Sequence, residues 1–241
     1  MTNAALTAEL APTGRLRASI NLGNSVLAQG TPDAPRGVSV DLANELARRL
    51  DIPLDFTTFA AAMPSFENVK AGTADIGFLA HEPARAAEVE FTAPYVLIEG
   101  TYMVLNGSPL KTIDDVDKPG IRIAVGKGAA YDLFLTRTLK HAQIFRAEQG
   151  GGRDMIDFFF KEKLDVVAGV KQALQAHAAT DPSVRIMDGR FQVIEQAMAL
   201  PKGRPAAAAY LKAFVEEMKA TGFVAEGLKR SGQDAAVAPL S

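Results

Sequence analysis

Lys70-Ala71-Gly72-Thr73-Ala74-Asp75-Ile76-Gly77 and Lys161-Glu162-Lys163-Leu164-Asp165-Val166-Val167-Ala168 play out one pattern twice. In each, a Lys ends a helical stretch, a short turn follows, and an Asp opens an apolar run short enough for a buried strand. The elements upstream repeat as well. Before the first stretch, residues 14–22 alternate as a strand opened by a turn at Pro12–Gly14. Val38, Leu42, Leu46 and Leu50 then recur at i+4 spacing with Asp41, Asn44, Glu45, Arg48 and Arg49 between them, the pattern of an amphipathic helix. Residues 54–59 alternate as a second strand, and residues 64–71 form a short helix closed by Gly72. Before the second stretch, residues 120–125 predict a strand, 131–139 a helix, 142–146 a strand and 155–161 a helix. The expected fold class is α/β, with two β-α-β-α-β lobes, each a mostly parallel sheet flanked by helices with right-handed crossovers. Ligands of such sheets sit outside the carboxyl ends of the strands.

The remaining segments fit around these lobes. Residues 28–37 are rich in Gly, Pro, Gln and Asp and predict a loop, as do Gly150-Gly151-Gly152. Residues 195–200 are strand-like, and a helix follows with Ala207, Tyr210, Leu211, Phe214 and Met218 on one face and Gly222 at its end. Asp114-Asp115-Val116-Asp117 is a solvated helix start more readily than a metal site. No low-complexity linker occurs, so two lobes would be joined by structured crossings, and a hinge is the natural result.

Composition narrows the function. The chain has 241 residues, 48% of them hydrophobic, and a net charge of -2, which argues against a nucleic-acid partner. No apolar run approaches the ~20 residues of a membrane helix. There are no cysteines, which excludes disulfides, zinc thiolate sites and Cys nucleophiles. Residues 1–10 carry neither a basic n-region nor an apolar h-region. The expected location is therefore periplasmic if a signal peptide has been removed, and cytoplasmic if Met1 is the native start.

Arg85-Ala86-Ala87-Glu88-Val89-Glu90-Phe91-Thr92-Ala93-Pro94-Tyr95 resembles the family 3 bacterial solute-binding proteins, the amino-acid receptors of ABC importers. That family's pattern is an Arg, a short charged spacer and Phe-Ser/Thr-x-Pro-Tyr. Residues 37–43, 71–75 and 123–128 match in register, so the resemblance runs from about residue 14 to 230. It implies a Venus-flytrap fold of the periplasmic binding protein type II class. Lobe one would be residues 1–100 plus 198–241 and lobe two residues 104–194, with hinge crossings near 100–103 and 195–198. Hinge closure around a ligand is the family's working motion.

The resemblance implies that Arg85 grips a ligand carboxylate, for which a guanidinium fork is well shaped. The alternative is a surface Arg paired with Glu88 or Glu90. Elsewhere the pattern departs from the amino-acid receptors. Their ammonium-binding Asp is replaced by Val170, followed by Lys171; their Thr-rich turn is here Gly128-Ala129-Ala130. Glu82 stands where they carry a Thr, and Ala80 where they carry a Ser or Thr. An ammonium buried beside Val170 would lack an anion, at a cost of several kcal/mol, unless Glu82, Glu99 or Glu195 replaces it. Lys171 would tilt the site further toward anions, or is simply a solvated Lys at a helix start. Asn21 and Asn24 are candidate polar contacts, or loop residues. Phe78, Leu79, Phe59, Met63 and Tyr131 are candidate apolar walls, with core packing the better account of Phe78 and Phe59. Gly126-Lys127-Gly128 is not a Walker A loop, though its N–H groups at a helix start suit an anion. Of the three histidines only His81 lies beside the binding strand; His141 and His177 look like surface residues.

These residues make a binding protein the expected function, for a small-molecule carboxylate, with an ABC transporter membrane component as a further partner. No catalytic residue, metal or cofactor is expected, and the chain is expected to be a monomer. The alternative is a lyase like the cyclohexadienyl dehydratases of the same fold, for which Glu82, Glu99 or Glu195 would be the acid.

Overall fold

The computed structural model describes residues 4–148 and 152–241. Helix α1 (Ala4–Leu10) precedes β1 (Leu16–Asn21), and a small hairpin of β2 (Gln29–Thr31) and β3 (Ala34–Arg36) leads into α2 (Val38–Leu50). Then come β4 (Leu54–Phe59), α3 (Ala62–Lys70), β5 (Ile76–Ala80), the one-turn α4 (Pro83–Ala86) and the long β6 (Val89–Leu105). They are followed by β7 (Arg122–Gly126), α5 (Ala130–Thr138), β8 (Gln143–Ala147), α6 (Gly152–Lys161), β9 (Val166–Val170), α7 (Lys171–Ala178) and β10 (Val184–Ile186). β11 (Gln192–Pro201), α8 (Pro205–Ala220), α9 (Phe223–Arg230) and β12 (Ala236–Val237) complete the described chain.

The chain divides into two compact units, Met1–Leu97 with Glu195–Ser241, and Ile98–Ile194. β6 carries the chain from the first unit into the second, and β11 carries it back.

In the first unit the strand order is β4-β1-β5-β11-β6, with β12 added on β6. β1 runs parallel to β4 (Leu16↔Leu54) and to β5 (Ala18↔Ile76), whereas β11 is antiparallel to β5 (Met198↔Phe78). β5 is buried at every position because helices cover it and strands flank it. α2 buries Val38, Leu42, Leu46 and Leu50, the i+4 stripe that the sequence predicts. α3 lies so close to β5 that a Cβ at Gly77 would sit 2.5 Å from a Val69 methyl, which makes glycine obligatory there.

The second unit repeats the arrangement. Its order is β6-β9-β7-β8, with β7 parallel to β8 (Arg122↔Gln143) and to β9 (Ile123↔Val166), and β9 antiparallel to β6 (Gly100↔Val170). In both units the first strand of the β-α-β-α-β run lies between the second and the third. Met155, Ile156 and Phe159 of α6 are buried, as are Leu174 of α7 and Leu135 of α5.

One side-chain staple is also repeated. In the first unit Arg17 binds Asp75 through its backbone N–H (3.1 Å), Nε (2.9 Å) and Nη2 (2.7 Å), and Nη2 also donates to Gly72 O. In the second, Arg122 binds Asp165 through its N–H (2.9 Å), Nε (3.0 Å) and Nη2 (3.3 Å), and Nη2 donates to Lys163 O. Each staple ties the start of the first strand to the turn before the third. The paired sequences quoted above therefore mark the same anchor twice.

Several expectations are corrected. The loop over 28–37 contains the β2–β3 hairpin, closed at Gly30↔Pro35. Gly152 opens α6 instead of lying in a loop, while residues 150 and 151 fall outside the described residues. Tyr210 is only half-buried, and the face of α8 is completed by Ala208 and Val215. Asp115 closes a capping box with Thr112 on a single 3-10 turn. Asp117 instead accepts the backbone N–H groups of Lys140, His141 and Ala142.

Candidate functional site

In the first unit the chemistry gathers after the carboxyl end of β5. Glu82 caps α4, its carbonyl accepting the N–H groups of Arg85 and Ala86 at 2.9 Å. This turn sends the Arg85 side chain back toward the strand, where Nη1 donates to Ala80 O at 3.3 Å. The guanidinium lies 5.8 Å from the centre of the Phe66 ring, within cation–π range. Arg85 is 2% exposed and Glu82 also 2%. Burial pushes the Arg85 pKa down to about 10, against an opposing pull from Glu82. Arg85 is therefore not a surface residue, and Glu88 and Glu90 pair with Lys70 and Lys212.

Leu79 belongs to a core cluster with Phe66, Val69, Ala74, Val89 and Ala199, against which Met63 packs. Phe78 meets Tyr95 edge-on at 6.1 Å, and the Tyr95 hydroxyl shares a hydrogen bond with Ser39. Phe59 ends β4 opposite Asn21, half-buried. Asn21 Oδ1 accepts the N–H of Gly23, and Asn24 Oδ1 that of Val26, so both fold the loop after β1. Glu195 O accepts the His81 N–H, and its carboxylate lies 3.9 Å from His81 Nδ1. The His81 ring stands edge-on to Phe91 and lines an open pocket of about 230 Å³ with Ala86, Val89, Glu90 and Lys202.

In the second unit the turn after β7 is engaged with its own chain. Lys127 N–H donates to Ala147 O, Ala129 N–H to Gly126 O, and Gly128 N–H to the Asp132 carboxylate at 2.8 Å. Asp132 is buried and also takes Arg146 (3.0 Å) and Thr136 (3.2 Å). Two of the N–H groups that looked ready for an anion, those of Lys127 and Gly128, are thus committed internally, the second to the protein's own carboxylate. Lys127 Nζ pairs with Glu148 at 2.6 Å. Ala130 is buried, and Tyr131 is buried with its hydroxyl on Met155 Sδ.

At the carboxyl end of β9, Val170 is half-buried and Lys171 is the first residue of α7. Lys171 Nζ donates to Glu99 Oε2 at 2.7 Å, and Arg190 Nη1 to Glu99 Oε1 at 2.6 Å. These hydrogen bonds, Lys171 first, hold the Glu99 carboxyl below its usual range. Lys171 is therefore ion-paired, not simply solvated. Sequence reasoning missed Asp132, Arg146 and Arg190. An Asp in the first turn of a helix was a legible capping signal for the first, whereas Arg190 carries no local signal.

Among the described residues no group of three or more His, Asp or Glu side chains is arranged to hold a metal ion. No helix among them is long and apolar enough to cross a membrane.

Comparison with known proteins places this arrangement. The chain resembles a solute receptor for L-cysteine of Neisseria gonorrhoeae at 18% identity and TM-score 0.79, covering 95% of this chain and 93% of that one. It also resembles an amino acid ABC transporter substrate-binding protein from Streptococcus pneumoniae bound to L-arginine (16%, TM-score 0.78, 98% and 100% covered). A third structure is an ancestral amino-acid-binding protein, a precursor of cyclohexadienyl dehydratase (19%, TM-score 0.76, 92% and 96% covered). At such identities these likenesses carry the two-lobed α/β fold alone. None of the curated proteins matches the chain. The family of bacterial extracellular solute-binding proteins, family 3, matches residues 26–232. The chain belongs to that family of solute-binding proteins.

Proposed function

We propose that this protein captures a small carboxylate-bearing solute between its two units, closing at the crossings near 100–103 and 195–198. In this reading Arg85 grips the carboxylate, and the loaded protein serves an ABC transporter membrane component. The observation that carries the reading is a guanidinium 2% exposed at the carboxyl end of β5, the end of a parallel strand where ligands bind. A desolvated cation there favours an anionic partner.

The solute is expected to lack a free α-amine. At the place where the resemblance implies an ammonium-binding Asp, the chain has Val170, with Lys171 beside it. Of the three acids considered as substitutes, Glu99 already holds two cations. Keto, hydroxy, aromatic and dicarboxylic acids are the favoured class.

A thermal-shift screen of simple organic acids against the twenty standard amino acids tests this. A ligand at a hundred times its Kd adds about 2.7 kcal/mol, or roughly 5–10 °C in a chain of this size. Organic acids should give that rise and amino acids none. Micromolar binding of any ordinary α-amino acid would overturn the preference.

A further inference from the structure

The buried Arg85 cation has lost its water, and the first unit must replace it with something. Nη1 donates to Ala80 O at 3.3 Å, and the guanidinium carbon stands over the Phe66 ring, 5.8 Å from its centre. The face of an aromatic ring carries negative potential, which compensates a desolvated cation. It does so without offering an acceptor oxygen, so it does not compete with a solute carboxylate for the guanidinium's N–H groups. A core position asks only for an apolar side chain, and leucine would serve. What leucine lacks is the face.

The ring is also firmly placed. Phe66 is buried in one cluster with Val69, Ala74, Leu79, Val89 and Ala199, which draw on α3, β5, β6 and β11. Its neighbour Ser65 is fully buried: Ser19 Oγ of β1 donates to Ser65 O at 3.1 Å and shares a hydrogen bond with Ser65 Oγ at 2.9 Å. One turn along α3, the Val69 methyl fills the space where a Cβ on Gly77 of β5 would stand. α3 is thus pinned to β1 by hydrogen bonds and to β5 by close packing. β5 also carries Ala80, whose carbonyl is the other contact of the guanidinium, so the same packing sets both sides of the cradle.

We propose that Phe66 is a positioning residue of the carboxylate site, its ring face holding the Arg85 guanidinium against Ala80 and oriented for the solute. The inference rests on the assignment of the solute carboxylate to Arg85. A fork that must meet two carboxylate oxygens loses affinity when it is free to swing, so the π face acts on binding through Arg85 alone.

Isothermal titration of the full chain with pyruvate, lactate, benzoate and succinate, one from each favoured class, reads the effect. For the acids that the wild type binds, Phe66→Leu should weaken affinity about tenfold, the scale of a desolvated cation–π contact. Exchange of Phe66 for trifluorinated phenylalanine keeps the ring's shape but drains its face of negative potential. It should weaken binding about threefold or more, and it serves should the leucine variant misfold. Urea unfolding without any solute gives a second reading. Phe66→Leu should lower the midpoint less in an Arg85→Ala background than in wild type, because the cation that the ring supported is gone. A ring that only fills the core would cost the same in both. If Arg85→Ala abolishes binding while the trifluorinated protein binds as tightly as wild type, or if the two midpoint shifts are equal, the positioning role is overturned and the Arg85 reading stands. If Arg85→Ala binds like wild type, or the wild type binds none of the four acids, the Arg85 reading fails and the positioning role falls with it.

Discussion

Replacing Arg85 by alanine is expected to abolish solute-dependent stabilisation while the protein remains folded. Truncating one partner of a buried, hydrogen-bonded charge pair costs about 2–5 kcal/mol, or roughly thirtyfold to several-thousandfold in affinity. The magnitude belongs at the upper end because the guanidinium is almost wholly removed from water. Its pKa, pushed down to about 10, still leaves it charged at neutral pH, so in the proposed role it would meet the ligand as a poorly hydrated cation. Arg85→Lys keeps the charge but loses the planar fork, and should fall between the wild type and the alanine variant. Calorimetry decides the matter: an alanine variant that binds as tightly as wild type removes Arg85 from the site.

The second large effect is on stability. Asp75→Ala should destabilise the protein by about 3–5 kcal/mol, the cost of breaking a buried ion pair from one side. The Asp75 side chain is fully buried and accepts bonds from Arg17 and, at 2.9 Å, from Arg204, which are only 26% and 17% exposed. Its loss strands both guanidinium groups. Asp165→Ala cuts the matching staple of the second unit, where both side chains are more than a third exposed, and should cost only about 1 kcal/mol. Urea unfolding of the two variants measures the contrast. Equal losses would show that the staples owe nothing to their difference in burial.

These staples also show why the architecture was legible. A helix end, a turn and an Asp opening an apolar run are local events, and each recurs because the same hydrogen bonds are needed at the same place in each sheet. The amphipathic stripe of α2 is likewise written in four residues at a fixed spacing. β6 was not legible as a seventeen-residue strand. Its first residues pack in one unit and its last in another, so its burial never settles into alternation, and Pro94 and Gly100 break the pattern further. The short β10 and β12 are defined by partners distant in sequence, and β2 and β3, three residues each, are too short to show periodicity.

The candidate site was legible in part. Arg85 stood out through its motif, and the geometry places it buried beside Glu82. What side chains do once folded was harder to foresee. The backbone N–H of Gly128 reads as an anion donor until Asp132 reaches back to it, and Lys171 reads as a free cation until Glu99 arrives from another strand. The first outcome had a local signal, an Asp in the first turn of α5, but the second depends on a contact across a strand ladder, which sequence spacing does not encode.

The threading of β6 and β11 has a consequence for biosynthesis. Residues 98–194 form an unbroken stretch, so the second unit can fold as soon as it leaves the ribosome. The first unit has to wait. β5 gains its antiparallel neighbour only when Gln196–Ala199 emerge, and Asp75 gains its second cation only with Arg204. At about 5–20 residues per second, the intervening chain takes roughly 5–20 s to synthesise. For that interval one edge of β5, its apolar Ile76, Phe78 and Leu79 included, stays unpaired on the nascent chain, which makes it the segment most in need of a chaperone.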